Sequence, residues 1–128
     1  MLSGNVIGYD PGGDGTHGLA ILRLEAGRAV STTTVLCETA EEVISRVSSM
    51  GPVLALGTDT LTCWSTGRCG WRPADRWLIA KYPKARKSII RPNGLYGAMG
   101  LNGMAVLISL KTCHPTAQLT ETHPKVLY

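Results

Sequence analysis

Phenylalanine is missing from this sequence, and among its four cysteines, Cys37, Cys63, Cys69 and Cys113, no pair has the two-residue spacing of a zinc knuckle. His17, His114 and His123 have no spacing typical of a zinc site either. The N-terminus shows no positive stretch leading into an apolar core, so no secretory signal is visible. The thiols are therefore expected to be reduced, in the cytoplasm, without a disulfide or metal role. The longest uncharged stretch, Pro92 to Leu110, is interrupted at six Gly or Asn positions, which makes it too polar for a membrane span of about 20 mostly apolar residues. No serine lies in a Gly-x-Ser-x-Gly elbow and no cysteine has an evident histidine partner, so covalent hydrolase chemistry lacks a supported nucleophile. Repeats and low-complexity tracts are absent as well.

What is present suits one globular domain with one core: 128 residues, 44% of them apolar and 17% charged. The charge is unevenly spread. Arg68, Arg72, Arg76, Lys81, Lys84, Arg86, Lys87 and Arg91 are opposed only by Asp75, so this segment carries +7 against a total of +4, and the rest carries −3. A basic segment on a near-neutral body fits an anionic partner, nucleic acid or a phosphorylated ligand; a solvated surface fits equally well.

Hydrophobic patterning predicts a three-stranded meander at the start: Asn5 to Tyr9, Leu19 to Leu24 and Ala29 to Leu36, joined by a glycine-rich turn and by Glu25-Ala26-Gly27-Arg28. Thr39 and Glu42 have capping-box spacing ahead of Val43, Ile44 and Val47, and Gly51-Pro52 supplies a stop, which predicts a helix over 40–50. Val53 to Thr58 reads as a fourth strand. A loop follows, then a short helix from Pro73 to Lys81, a basic connection from Tyr82 to Pro92, a glycine-punctuated helix over 93–111, and a last strand from Thr116 to Thr122. Gly97, Gly100 and Gly103, three apart, each cost a helix about 1 kcal/mol relative to Ala and suggest close packing against a sheet or ligand.

Three acids, Asp10, Asp59 and Glu121, lie on or just after predicted strands far apart in the chain. Hard divalent cations take oxygen ligands, and carboxylates that bridge two of them can activate water for phosphodiester cleavage. Each acid also has a plain reading: Asp10 before Pro11-Gly12 as a turn residue, Asp59 as a loop cap, Glu121 as a surface strand residue. Asp14 suits an auxiliary ligand or a solvated turn. The turn Gly12-Gly13-Asp14-Gly15-Thr16 lacks the Gly-Lys-Ser/Thr ending of a P-loop, and tight hairpin geometry accounts for it better than phosphate binding. His123, beside Glu121, is the one histidine placed to shuttle a proton. Trp64, Trp71, Trp77 and Tyr82 interleave with the basic residues, as in proteins that stack unpaired bases and neutralise phosphates with Arg68, Arg72, Arg76, Lys84, Arg86 and Lys87; Trp77 with Leu78 and Ile79 equally suits an anchor to the core.

Ile7-Gly8-Tyr9-Asp10 with its Gly-rich turn, Gly57-Thr58-Asp59, Arg72-Pro73-Ala74-Asp75, Asn93-Gly94-Leu95-Tyr96-Gly97-Ala98-Met99 and Glu121-Thr122-His123-Pro124 stand in an order that resembles the predicted nucleases of the ribonuclease H-like superfamily. The resemblance covers nearly the whole chain. It implies an α/β fold with a five-stranded mixed sheet, order 3-2-1-4-5, and flanking helices, in which Asp10 and Asp59 are neighbours. It also implies catalysis with two magnesium or manganese ions, Asp10 bridging them, Asp59 binding one, and Glu121 completing the set. Such enzymes usually take a further acid from a helix after the fifth strand, and with the last residue at Tyr128 the expectation is either a truncated sequence or a missing last ligand; apolar surface left by an absent helix would be buried in a homodimer. Three functions follow as expectations. The first is a metal-dependent nuclease, and the second a non-catalytic nucleic-acid or protein-binding module on the same fold. The third, an actin- or sugar-kinase-like phosphotransferase, shares the Asp-then-glycine hairpin but needs two such domains.

Overall fold

A computed structural model describes residues 2–12, 16–62, 71–89 and 97–122. The first three strands, β1 (Gly4–Asp10), β2 (His17–Glu25) and β3 (Arg28–Cys37), form the antiparallel meander that the alternating pattern predicts. Between β2 and β3 the chain reverses in two residues, Ala26 and Gly27, both with positive φ (50° and 78°). That is the turn geometry whose twist matches a hairpin, and it explains a glycine at the second position.

Helix α1 (Ala40–Ser48) starts where its capping residues place it: Thr39 Oγ1 accepts the Glu42 N–H at 3.1 Å, and the Glu42 carboxylate accepts the Glu38 N–H at 2.9 Å. Its apolar stripe buries Val43 and Val47 completely, about 1.5–3 kcal/mol for each side chain. Strand β4 (Val53–Thr58) then runs parallel to β1. Helix α2 (Pro73–Lys81) leads into a 3-10 turn, Pro83–Ser88, within the stretch expected to be a plain connection. Helix α3 (Gly97–Cys113) is followed by β5 (Gln118–Glu121), parallel to β4 and shorter than the predicted strand.

The sheet order is β3-β2-β1-β4-β5, the mixed five-stranded arrangement expected. One face of it is packed. Ile7, Tyr9, Leu19 and Leu56 meet Val43 and Val47 of α1 and Val106, Leu107 and Leu110 of α3 in a single core. Gly103 lets α3 come close to the chain leaving β4, because a Cβ there would lie 2.1 Å from Thr60 Cγ2; Gly100 has no such neighbour. On the opposite face, the register aligns Gly8 with Ala20 on one side and Gly57 on the other, so the centre of the sheet carries almost no side-chain bulk. Among the described residues no helix is long and apolar enough to cross a membrane.

Candidate active site at the carboxyl ends of the parallel strands

Strands β1 and β4 pair as Ile7 with Leu56, Gly8 with Gly57 and Tyr9 with Thr58. The next residue on each is an aspartate, so Asp10 and Asp59 leave the sheet side by side. The Asp59 N–H donates to the Tyr9 carbonyl at 3.0 Å, which carries the ladder one residue beyond β4. Side chains alternate between faces along a strand, which places both aspartates on the face opposite the core, with Gly8 and Gly57. Both line an open cleft of about 470 Å³ floored by those glycines with Gly18 and Ala20, and walled by Thr34, Leu36 and Thr122. Gly18 sits directly beside Asp10, where a Cβ would approach the Asp10 Cβ to 3.3 Å.

Beneath the carboxylates, on the packed face, the Tyr9 hydroxyl and His17 Nδ1 are hydrogen-bonded at 2.8 Å, both side chains being buried. Burial, reinforced by the Asp10 charge and by Cys37, pushes the Tyr9 phenol up to about 12. The bond joins the end of β1 to the start of β2 and so braces both ends of the turn that follows Asp10.

Glu121 does not join the aspartates. It pairs in register with Thr58, one residue before Asp59, and the alternation turns it to the other face. There its carboxylate accepts the Thr62 N–H, the Thr62 hydroxyl at 2.7 Å, Arg72 Nη1, and Arg72 Nη2 at 2.8 Å. Burial raises the Glu121 carboxyl, but the bonds from Arg72 and Thr62 outweigh it and hold the group below its ordinary value. The residue at the end of β5 that does reach the cleft is Thr122, whose N–H donates to the Thr58 carbonyl at 2.7 Å.

Arg72, expected to meet nucleic acid, is turned inward. Its Nε and Nη2 donate to Asp75 at 3.0 and 2.7 Å while its own N–H caps the helix on Asp75 Oδ2 at 2.9 Å. Arg72 thus ties the start of α2 to the end of β5. Arg76, Lys84, Arg86 and Lys87 are exposed on α2 and the 3-10 turn. Arg68, His123 and Asp14 lie outside the described residues, as do Cys63 and Cys69; Cys37 and Cys113 are free thiols.

Sequence reasoning missed both the Arg72 link and the Tyr9–His17 pair. The first had a partial signal: Asp75 three residues after Arg72, with Pro73 at the first helical position, is a helix-start pattern that brings the Asp75 carboxylate back to residue 72, whereas the bonds to Glu121 had none. The second had none, since it depends on which face of β2 carries His17.

Among the described residues no three His, Cys, Asp or Glu side chains converge on a point that could hold a metal ion. The carboxylate pair is a donor set that suits one magnesium or manganese ion, which keeps several waters and takes remaining ligands from a phosphate. It falls short of the two-ion site that the resemblance implies. No protein-family model matches the chain, and no curated protein matches it.

Proposed function

We propose that the chain is a metal-dependent nuclease on a ribonuclease H-like fold, with Asp10 and Asp59 holding one magnesium or manganese ion against a phosphodiester. The observation that carries this reading is the pairing of two aspartates at the carboxyl ends of adjacent parallel strands, lining one cleft. A cation held there would supply Lewis acidity to a phosphoryl oxygen and an activated water. The chain itself contributes position. Asp59 is held by its backbone bond to Tyr9, Asp10 is braced by the Tyr9–His17 contact, and the small Gly8, Gly57 and Ala20 leave the floor of the cleft low enough among the described residues for a bulky phosphodiester to approach. The exposed cations of α2 and the 3-10 turn would neutralise neighbouring phosphates. Asp10→Asn and Asp59→Asn are each expected to abolish magnesium- or manganese-dependent cleavage of nucleic acid while leaving the fold intact by circular dichroism; cleavage that persists in either variant overturns the assignment.

A second reading, a non-catalytic nucleic-acid-binding module, is favoured by one specific observation: Glu121, the third acid, is taken up by Arg72 and Thr62. In that case binding is unchanged by chelator and by Asp10→Asn, weakens steeply with salt, and is accompanied by no cleavage.

A further inference from the structure

Helix α2 is unusual in what attaches it. The side chain it buries fully is a charged one, Asp75, held by Arg72, while Leu78 and Ile79 are only half-buried. At 3.6 residues per turn those three share one side, which leaves Arg76, Trp77, Ala80 and Lys81 on the other. Trp77 is 59% exposed and Tyr82 37%. Trp77 therefore does not anchor the helix to the core. The two rings instead meet edge-to-face, with centroids 6.3 Å apart and planes at 73°, a geometry that holds both in place. Five cations share α2 and the 3-10 turn with them, Arg76, Lys81, Lys84, Arg86 and Lys87, all exposed and none in an ion pair among the described residues.

We infer that Trp77 and Tyr82 form a stacking platform for unpaired bases, and that the partner of the α2 surface is single-stranded nucleic acid. Two features of the surface select this ligand. An anion of any kind satisfies the lysines and arginines, but rings left in water beside them match a partner that carries flat apolar faces between its charges, and in a duplex those faces are already stacked. The bonds from Arg72 to Glu121 tie the first turn of α2 to the end of β5, whose next residue, Thr122, lines the aspartate cleft, so the platform belongs to an element anchored at the same end of the sheet. This deepens the nuclease reading and rests on it for its biological meaning, but the binding itself needs neither metal nor cleavage.

The test is fluorescence anisotropy on the full chain in chelator, with a labelled oligothymidine of about 15 nucleotides, the same length of duplex, and vesicles of anionic phospholipid as the three probes. The single strand is expected to bind tightest, and Trp77→Ala to weaken it about 10-fold, what the loss of one stacked base is worth, with Trp77→Phe restoring most of it. Removing Lys84, Arg86 and Lys87 together should flatten the salt dependence and leave the preference for single strand over duplex. Because Trp77 lies outside the core, both Trp77 variants should melt like the parent chain. Equal affinity for duplex, full affinity in Trp77→Ala, or binding to vesicles alone would each overturn the inference. Asp10→Asn separates it from the nuclease reading: that variant should still bind the single strand while cleaving nothing, and a parent chain that binds the strand but fails to cut it with magnesium or manganese would count against the nuclease alone.

Discussion

Replacing the buried Arg72 by alanine should destabilise the fold strongly, and the size of the loss follows from the contacts the guanidinium makes. Two of its bonds go to Asp75, whose side chain is 3% exposed, and two to Glu121, whose side chain is 28% exposed. Asp75 would retain one donor, the backbone N–H of residue 72, and its charge would stay buried without a counter-ion. Glu121 would keep both Thr62 donors and could draw on water. Breaking a buried pair from one side typically costs about 3–5 kcal/mol, most of it in this case from Asp75. For a domain of this size that corresponds to a fall of about 10–20 °C in Tm. Urea unfolding followed by circular dichroism measures it, with Asp75→Asn as the companion that removes the stranded charge and keeps the helix cap. The double variant should be closer to the parent than Arg72→Ala alone. The pH dependence gives a second readout. The Glu121 carboxyl is held below its ordinary value of 4.5, so its contribution is fully present above that pH and is lost as pH falls through the lowered folded value. Arg72→Ala should shrink that part of the acid limb to the share the Thr62 donors supply. A loss under about 1 kcal/mol, the range of an exposed ion pair, would refute the claim that Arg72 anchors α2.

Two further outcomes follow from the packed face. The Tyr9 phenol, raised from 10.0 to about 12, stays neutral in the fold where it would ionise in the unfolded chain, so its contribution is intact below pH 10 and disappears between there and pH 12, about 2–3 kcal/mol in all; Tyr9→Phe should flatten the alkaline limb of stability relative to the parent. Gly103→Ala gains about 1 kcal/mol of helix propensity but forces Thr60 to move, at about 1–3 kcal/mol of overpacking; a net loss of stability by urea unfolding is expected, and a clear gain would show that α3 does not seat against the chain beside Asp59.

Much of this arrangement is legible in the residues because it depends on local chemistry. The Thr39–Glu42 cap, the Ala26-Gly27 reversal and the Pro73 start each specify an element within a few positions, and strand β4 covers the apolar run from Val53 to Thr58 and no more. The pairing of Asp10 with Asp59 was also within reach, since two strands ending in the same residue type become informative once they are neighbours. Glu121 was not. Its face depends on the register of β5 against β4, and a shift of one residue would send it to the cleft in place of Thr122. Arg72 was misread for a related reason: counting charges along a segment treats every arginine as solvated, and only the fold reveals that one of them has two carboxylates to satisfy.

Whether Asp10 and Asp59 share a cation decides the proposal for the site. A crystal soaked in manganese and measured for anomalous scattering answers this without knowledge of the substrate: the proposal requires a peak between the two carboxylates that disappears in Asp10→Asn, and an ion bound instead at Glu121, or no peak at the cleft, contradicts it.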